Sequence, residues 1–327
     1  MSPQGDNLPT IFDTATCVRK GLFNVSKHRK ESPELLESHA LYYEQHGKGT
    51  KFKVFFIMGL NTNCFGWEQQ VKHFGKSDEH TVIVFDNRGV GNSGYPRGPY
   101  STSGMAEDAI ALLDYIGWTA ERDIHVVGIS LGGMIAQELV HRISDRIASL
   151  TLAVTTPGGW FFNNFPPWTG VWYLSRLMFT SKIEAKVPLA LELVFPQRWL
   201  EEKAENDPHG RTNRQVQTEG YLRRMAMARP QQFLGHISQM AAGLTHYVSK
   251  ERLQHIGRSI PKITIVTGDH DNLILPQHSK DIAACIPQAE FVEWEGTGHS
   301  IIHQRPVWFN TLVEKTIREG AERCKTL

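Results

Sequence analysis

Strands alternating with helices over residues 38–156 and again over 251–327, interrupted by a helix-rich tract at 157–250, predict an α/β fold. The expected architecture is a doubly wound, mostly parallel sheet carrying an inserted helical cap. Two observations carry that prediction. Runs such as 52–58, 81–85 and 124–129 are apolar almost throughout, as strands buried on both faces are. Most are followed, after a polar break, by a stretch whose apolar residues recur at helical spacing.

Taken in order, residues 1–37 are polar, with Pro3, Pro9 and Pro33, and read as a loosely packed N-terminal extension. Residues 39–45 alternate weakly and suit an edge strand. The strand at 52–58 breaks at Gly59-Leu60-Asn61-Thr62-Asn63 and leads to a helix over 67–74. A second strand, 81–85, ends at Asp86-Asn87-Arg88-Gly89. A helix over 105–116 places Ala109, Leu112, Leu113 and Ile116 on one face. Strand 124–129, helix 131–141 and strand 147–155 follow. After the interruption the rhythm resumes with strand 262–267, helix 277–285, strand 291–294 and a closing helix over 307–318.

The 327 residues suit one large domain with an inserted part. Hydrophobic content of 40% and charged content of 21% are ordinary for a globular protein. A net charge of +1 argues against nucleic acid as a partner. No apolar run reaches the length of a membrane span, so stable membrane insertion is not expected. Cys17, Cys64, Cys285 and Cys324 are too scattered for a disulfide framework or a CxxC zinc site, and read as idle thiols. The first thirty residues lack a continuous apolar segment, so the expected setting is cytoplasmic.

The chemistry concentrates at Gly128-Ile129-Ser130-Leu131-Gly132-Gly133, between a buried strand and a helix. A serine hydroxyl is a poor nucleophile unless a tight turn holds it clear of the sheet, within reach of a base. Gly89-Val90-Gly91-Asn92-Ser93-Gly94 spells a dinucleotide fingerprint, but that motif needs a helix starting inside it. Tyr95-Pro96-Arg97-Gly98-Pro99 forbids one, so no nucleotide cofactor is expected.

Activation of Ser130 needs an imidazole, and the imidazole needs a carboxylate. Among 15 histidines, His299 lies in the glycine-rich loop Glu295-Gly296-Thr297-Gly298-His299 after a strand. His303 stands four residues on, but Ser300 occupies the place of the glutamate of an HExxH motif, so metal is not expected there. Asp269 and Asp271 compete for the acid. The need to reach back toward the histidine loop favours Asp271, leaving Asp269 a turn residue.

The order Ser130, Asp271, His299, with the segments at 58–60, 86–93, 128–133, 268–271 and 298–299, resembles the α/β-hydrolase fold family, in its capped, esterase and epoxide-hydrolase-like branch. The resemblance spans residues 40 to 327 apart from most of the cap. It implies Ser130, Asp271 and His299 as the catalytic residues and the N–H groups of Leu60 and Leu131 as the oxyanion hole. Relatives that open epoxides carry aspartate at the elbow; Ser130 instead implies acyl transfer on a small-molecule ester, thioester or lactone, with no cofactor and no metal required.

Trp160, Phe161, Phe165, Trp168 and Trp172 open the interruption and are candidates for substrate binding. They could equally form the cap's own packing core, or dip into a membrane. Rival readings are a small-molecule binding protein on the same fold, a carbon–carbon bond hydrolase and a monoacylglycerol-type lipase.

Overall fold

The computed structural model describes residues 7–28, 35–159, 164–180 and 182–326. Among these residues the sheet comprises β1 (Cys17–His28), β2 (Leu35–His46), β3 (Phe52–Ile57), β4 (His80–Phe85), β5 (Ile124–Ile129), β6 (Ile147–Ala153), β7 (Lys262–Gly268) and β8 (Glu290–Trp294). Their spatial order is β1-β2-β4-β3-β5-β6-β7-β8. β2 runs antiparallel to both β1 and β4, and all pairings from β4 onward are parallel.

Every residue of β4, β5, β6 and β7 is buried, which explains their continuous apolar character. The two-residue period then sorts side chains between two cores. Phe55, Ile57, Ile83, Phe85 and Val126 enter one; Val54, Phe56, Val82, Val84 and Val127 enter the other. Between β3 and β4 lies α1 (Glu68–Phe74); α2 (Thr102–Ile116) and α3 (Leu131–Arg142) follow on either side of β5. Between β6 and β7 come α4 (Trp168–Phe179), α5 (Ile183–Val194), α6 (Gln197–Glu201), α7 (Asn213–Met227), α8 (Phe233–Leu244) and α9 (Lys250–Ser259). The chain closes with α10 (Pro276–Cys285), α11 (Ile301–Gln304) and α12 (Pro306–Cys324). Leu112, Leu139, Ile256 and Ile282 bring α2, α3, α9 and α10 to the first core. Val71, Phe74, Phe309 and Val313 bring α1 and α12 to the second, so the sheet is doubly wound.

The extension expected over residues 1–37 is corrected from Cys17 onward. β1 runs from there to His28 and pairs along its length with β2, which is therefore not an edge strand. β1 bonds to one neighbour only, so its sequence carries mixed polar residues; Val25 reaches the first core. A strand of this kind has no local signature, because its order comes from cross-strand partners. α2 starts three residues earlier than its apolar spacing implies, because the Ser101 hydroxyl accepts the Gly104 N–H at 3.1 Å. Strand β6 stops at Ala153, where Val154 turns to φ +43°. No helix among the described residues is long and apolar enough to cross a membrane.

Several histidines are packed into this scaffold as neutral groups. Burial pushes His125 down to about 3, and His80 and His246 to about 4. An unfolded histidine takes up a proton near pH 6.5, whereas these do not until well below it. The unfolded state therefore binds more protons between those limits, and stability is lost as pH falls from about 6.5 toward 4. His125 is held to Ser149 by a hydrogen bond of 2.8 Å. His125→Asn should flatten that loss by ~2 kcal/mol at pH 5. Thermal melts of both proteins at pH 7 and pH 5 check this; equal slopes would refute it.

Candidate active site

Ser130 sits between the last residue of β5 and the first of α3, at φ +55° and ψ −123°. A non-glycine residue there is strained by about 1–3 kcal/mol and persists only where its surroundings impose it. The impositions are visible: the Ser130 N–H donates to Ala153 O at 2.9 Å, and the Ser130 carbonyl accepts the Thr155 hydroxyl at 2.8 Å. Gly132 is required because a Cβ there would run into the Ile57 carbonyl, at the end of β3, and stand 2.8 Å from the Met58 carbonyl. The helix can thus start immediately after the serine.

The loop after β8 carries His299, and the loop after β7 carries Asp271. Ser130 Oγ lies 2.9 Å from His299 Nε2, and His299 Nδ1 lies 2.7 Å from Asp271 Oδ2. All three residues are buried. The second oxygen of Asp271 accepts the N–H groups of Leu273 and Ile274 at 2.7 and 2.9 Å, which fixes the carboxylate plane. Asp269 meets other partners: its Oδ1 accepts the Thr297 N–H at 3.1 Å and faces His270 Nδ1 at 2.8 Å, joining the two loops. Gln304 clamps the histidine loop further, accepting from Gly298 N at 2.8 Å and donating to Gly296 O at 2.7 Å. His303 turns to the Ser300 hydroxyl at 2.9 Å, and burial pushes its ring well below the ordinary imidazole range.

Leu60 follows Gly59, where an added Cβ would stand 3.1 Å from Ser130 Cβ. The segment bearing Leu60 therefore passes directly beside the serine. Leu131 is the first residue of α3, so its N–H has no acceptor within the helix. The segment at 58–64 is held from several sides. Asn87 Nδ2 donates to Met58 O at 3.0 Å, and Asp86 accepts the N–H groups of Cys64 and Asn92, both at 2.7 Å. Burial pushes the Asp86 carboxyl up to about 6 despite those donors. From α8, the fully buried Gln239 accepts the Asn61 N–H at 2.8 Å and donates to Arg88 O at 2.8 Å. Asn61 itself stands at φ +54°, a conformation asparagine tolerates better than most residues. Gln239 carries no sequence signal of this role beyond being an amide in an apolar helix, since its partners lie far away along the chain, whereas the partners of Gln304 lie six and eight residues before it.

The aromatic candidates fare differently. Trp160 and Phe161 lie outside the described residues. Phe165 is 42% exposed, Trp172 50% and Trp168 89%, so Trp168 belongs neither to an enclosed pocket nor to a packing core. The reason lies in α4, whose buried residue is Gly170, set against Pro166 and the Asn272 carbonyl. Small Gly170 brings that helix face inward and leaves its aromatics outward. Trp172 packs edge-on against Tyr173 at 4.8 Å and beneath the Arg176 guanidinium at 5.1 Å.

A family profile for the alpha/beta hydrolase fold matches residues 54–306. The RutD protein of Azorhizobium caulinodans, provisionally assigned as a carbamate hydrolase, is 28% identical over 84% of this chain and 93% of its own. The pimeloyl-[acyl-carrier protein] methyl ester esterase of Vibrio cholerae is 26% identical over 80% of this chain and 91% of its own. Among solved structures, the enol-lactonase of Burkholderia xenovorans superposes with a TM-score of 0.67 at 20% identity, covering 86% of this chain and 97% of that one. Sheet order, the strand–turn–helix at Ser130 and a profile match over most of the sequence lead to one conclusion: the chain belongs to the α/β-hydrolase fold family.

Proposed function

We propose that the protein is a serine hydrolase that cleaves a carboxylic ester, thioester or lactone with an apolar acyl or alcohol part, through an acyl-enzyme on Ser130. The observation that supports this reading most is the unbroken hydrogen-bonded line from Asp271 through His299 to Ser130, 2.7 and 2.9 Å long. In the reaction, His299 Nε2 takes the hydroxyl proton as Ser130 Oγ bonds to the carbonyl carbon. Asp271 holds the imidazole in the tautomer with its proton on Nδ1 and stabilises the cation that forms. The negative oxygen of the adduct is held by the N–H groups of Leu60 and Leu131, each worth ~3 kcal/mol of barrier. His299 returns the proton to the leaving alcohol, the C–O bond breaks, and the acyl group remains on serine. Water, deprotonated by His299, repeats the sequence and releases the acid. The methyl ester esterase and enol-lactonase among the related proteins support an acyl–oxygen bond as the target.

Ser130→Ala should abolish labelling by a fluorophosphonate and lower p-nitrophenyl ester turnover roughly a million-fold. Asp271→Asn should cost about ten-thousand-fold. Asp269→Asn, by contrast, should leave most of kcat, because Asp269 bonds loop atoms rather than His299. Steady-state rates of the three variants test the assignment, and an Asp269 defect as deep as that of Asp271 would reverse the two roles.

Gln239 is a positioning residue in this scheme, since its amide holds the residue next to the Leu60 N–H. Gln239→Leu should lower kcat about 10- to 100-fold while KM changes little, and the rate of fluorophosphonate labelling should fall in parallel. A change confined to KM would place its effect in substrate binding instead.

Trp168 projects into solvent. Trp168→Ala should therefore preserve the chain-length preference measured on a graded series of acyl esters. A shifted optimum would return that side chain to the acyl pocket.

A further inference from the structure

Well removed in sequence from the serine site, Cys17 opens β1 directly opposite His46 in the β1–β2 ladder, and Glu44 lies two residues before His46 on the same face of β2. Strand geometry alone therefore brings a thiol, an imidazole and a carboxylate together. One donor atom from each lies within 4.8 Å of the others, and Glu44 and His46 are fully buried.

The hydrogen bonds assign the protons. The Glu44 carboxylate accepts the Tyr42 hydroxyl at 2.7 Å and the Thr10 hydroxyl at 3.0 Å. The Thr16 hydroxyl gives its single hydrogen to Asp13 O at 2.8 Å. With that hydrogen so placed, it accepts from His46 Nδ1 at 2.9 Å, the arrangement in which Nδ1 carries the ring proton. A neutral imidazole in that tautomer has a bare lone pair at Nε2. That nitrogen is buried without a hydrogen-bond partner, yet Glu44 Oε2 stands 3.3 Å away. A cation placed between that lone pair and the carboxylate oxygen, a proton or a metal ion, would satisfy both. The surroundings have the form of a metal site's outer layer: hydroxyls orient the carboxylate, and a hydroxyl fixes the tautomer that leaves the other ring nitrogen free. A groove of about 290 Å³, lined by Asp13, Glu68, Lys72 and Lys76 among others, reaches Phe12 and Thr16, the two residues that touch His46.

We propose that Cys17, Glu44 and His46 form a structural site for a divalent transition-metal ion, Zn2+ by the chemistry of a mixed sulfur, nitrogen and oxygen donor set, with water as a fourth ligand. Its effect would be to tie the first strand of the sheet to the second, separately from ester hydrolysis.

The test uses the full chain, stripped with a chelator and titrated with Zn2+ and with Co2+. Wild type should bind Zn2+ stoichiometrically, gain thermal stability from it, and show a thiolate-to-cobalt charge-transfer band with Co2+. Cys17→Ser, at a partly exposed strand end where folding should survive, should lose that band and bind Zn2+ at least about tenfold more weakly. Retained ester hydrolysis by the variant reports that its fold is intact. Wild type that takes up neither ion, or takes up both no better than Cys17→Ser, would overturn the site and leave a buried histidine–carboxylate contact between His46 and Glu44.

Discussion

The backbone at Ser130 is the constraint on which the rest of the molecule depends. A residue at φ +55° lets a buried parallel strand end and a helix begin with no intervening loop. The serine is thereby lifted to the carboxyl edge of the sheet, with its hydroxyl pointing away from both elements. The strain is met by fixed partners, Ala153 at the end of the next strand and Thr155 just beyond it, and by Gly132, which lets α3 close on the end of β3. A loosened turn would lose the 2.9 Å approach to His299 before it lost the fold.

Around that turn, the loops after β3, β7 and β8 converge because parallel strands all end on the same edge. Each loop is then stiffened by its own set of hydrogen bonds. Asp269 and Gln304 hold the histidine loop, the N–H groups of Leu273 and Ile274 hold the Asp271 carboxylate, and Asp86, Asn87 and Gln239 hold the segment beside Leu60. Gln239 comes from an inserted helix, so the insertion contributes directly to the rigidity of the proposed oxyanion loop. Its amide is fully used, one atom on Asn61 and the other on Arg88. The inserted helices are in this sense part of the site's support as well as its neighbours.

The same insertion carries the least enclosed apolar side chains of the described chain, Trp168 and Phe179 among them. Their exposure separates two properties that composition merges. Aromatic density near a core strand says that apolar surface is present, whereas the small residue at 170 decides which face of the helix turns inward.

Much of the fold was legible beforehand because its central strands are buried on both faces, and a strand with no polar face leaves an unbroken apolar run. The elbow was legible because a sharp turn demands glycines at fixed spacing around its serine. The pairing of Asp271 with His299 was narrower: two aspartates fitted the loop, and the direction in which each carboxylate points depends on the backbone of the turn, where Asp271 Oδ2 meets His299 at 2.7 Å. What lay beyond local pattern was decided by partners distant in the chain. β1 exists because β2 offers it a ladder, Gln239 matters because α8 docks on the loop at Asn61, and Trp168 faces outward because Gly170 faces in. Periodicity records which faces are dry; it does not record which distant donor meets which acceptor, and only the folded chain supplies that.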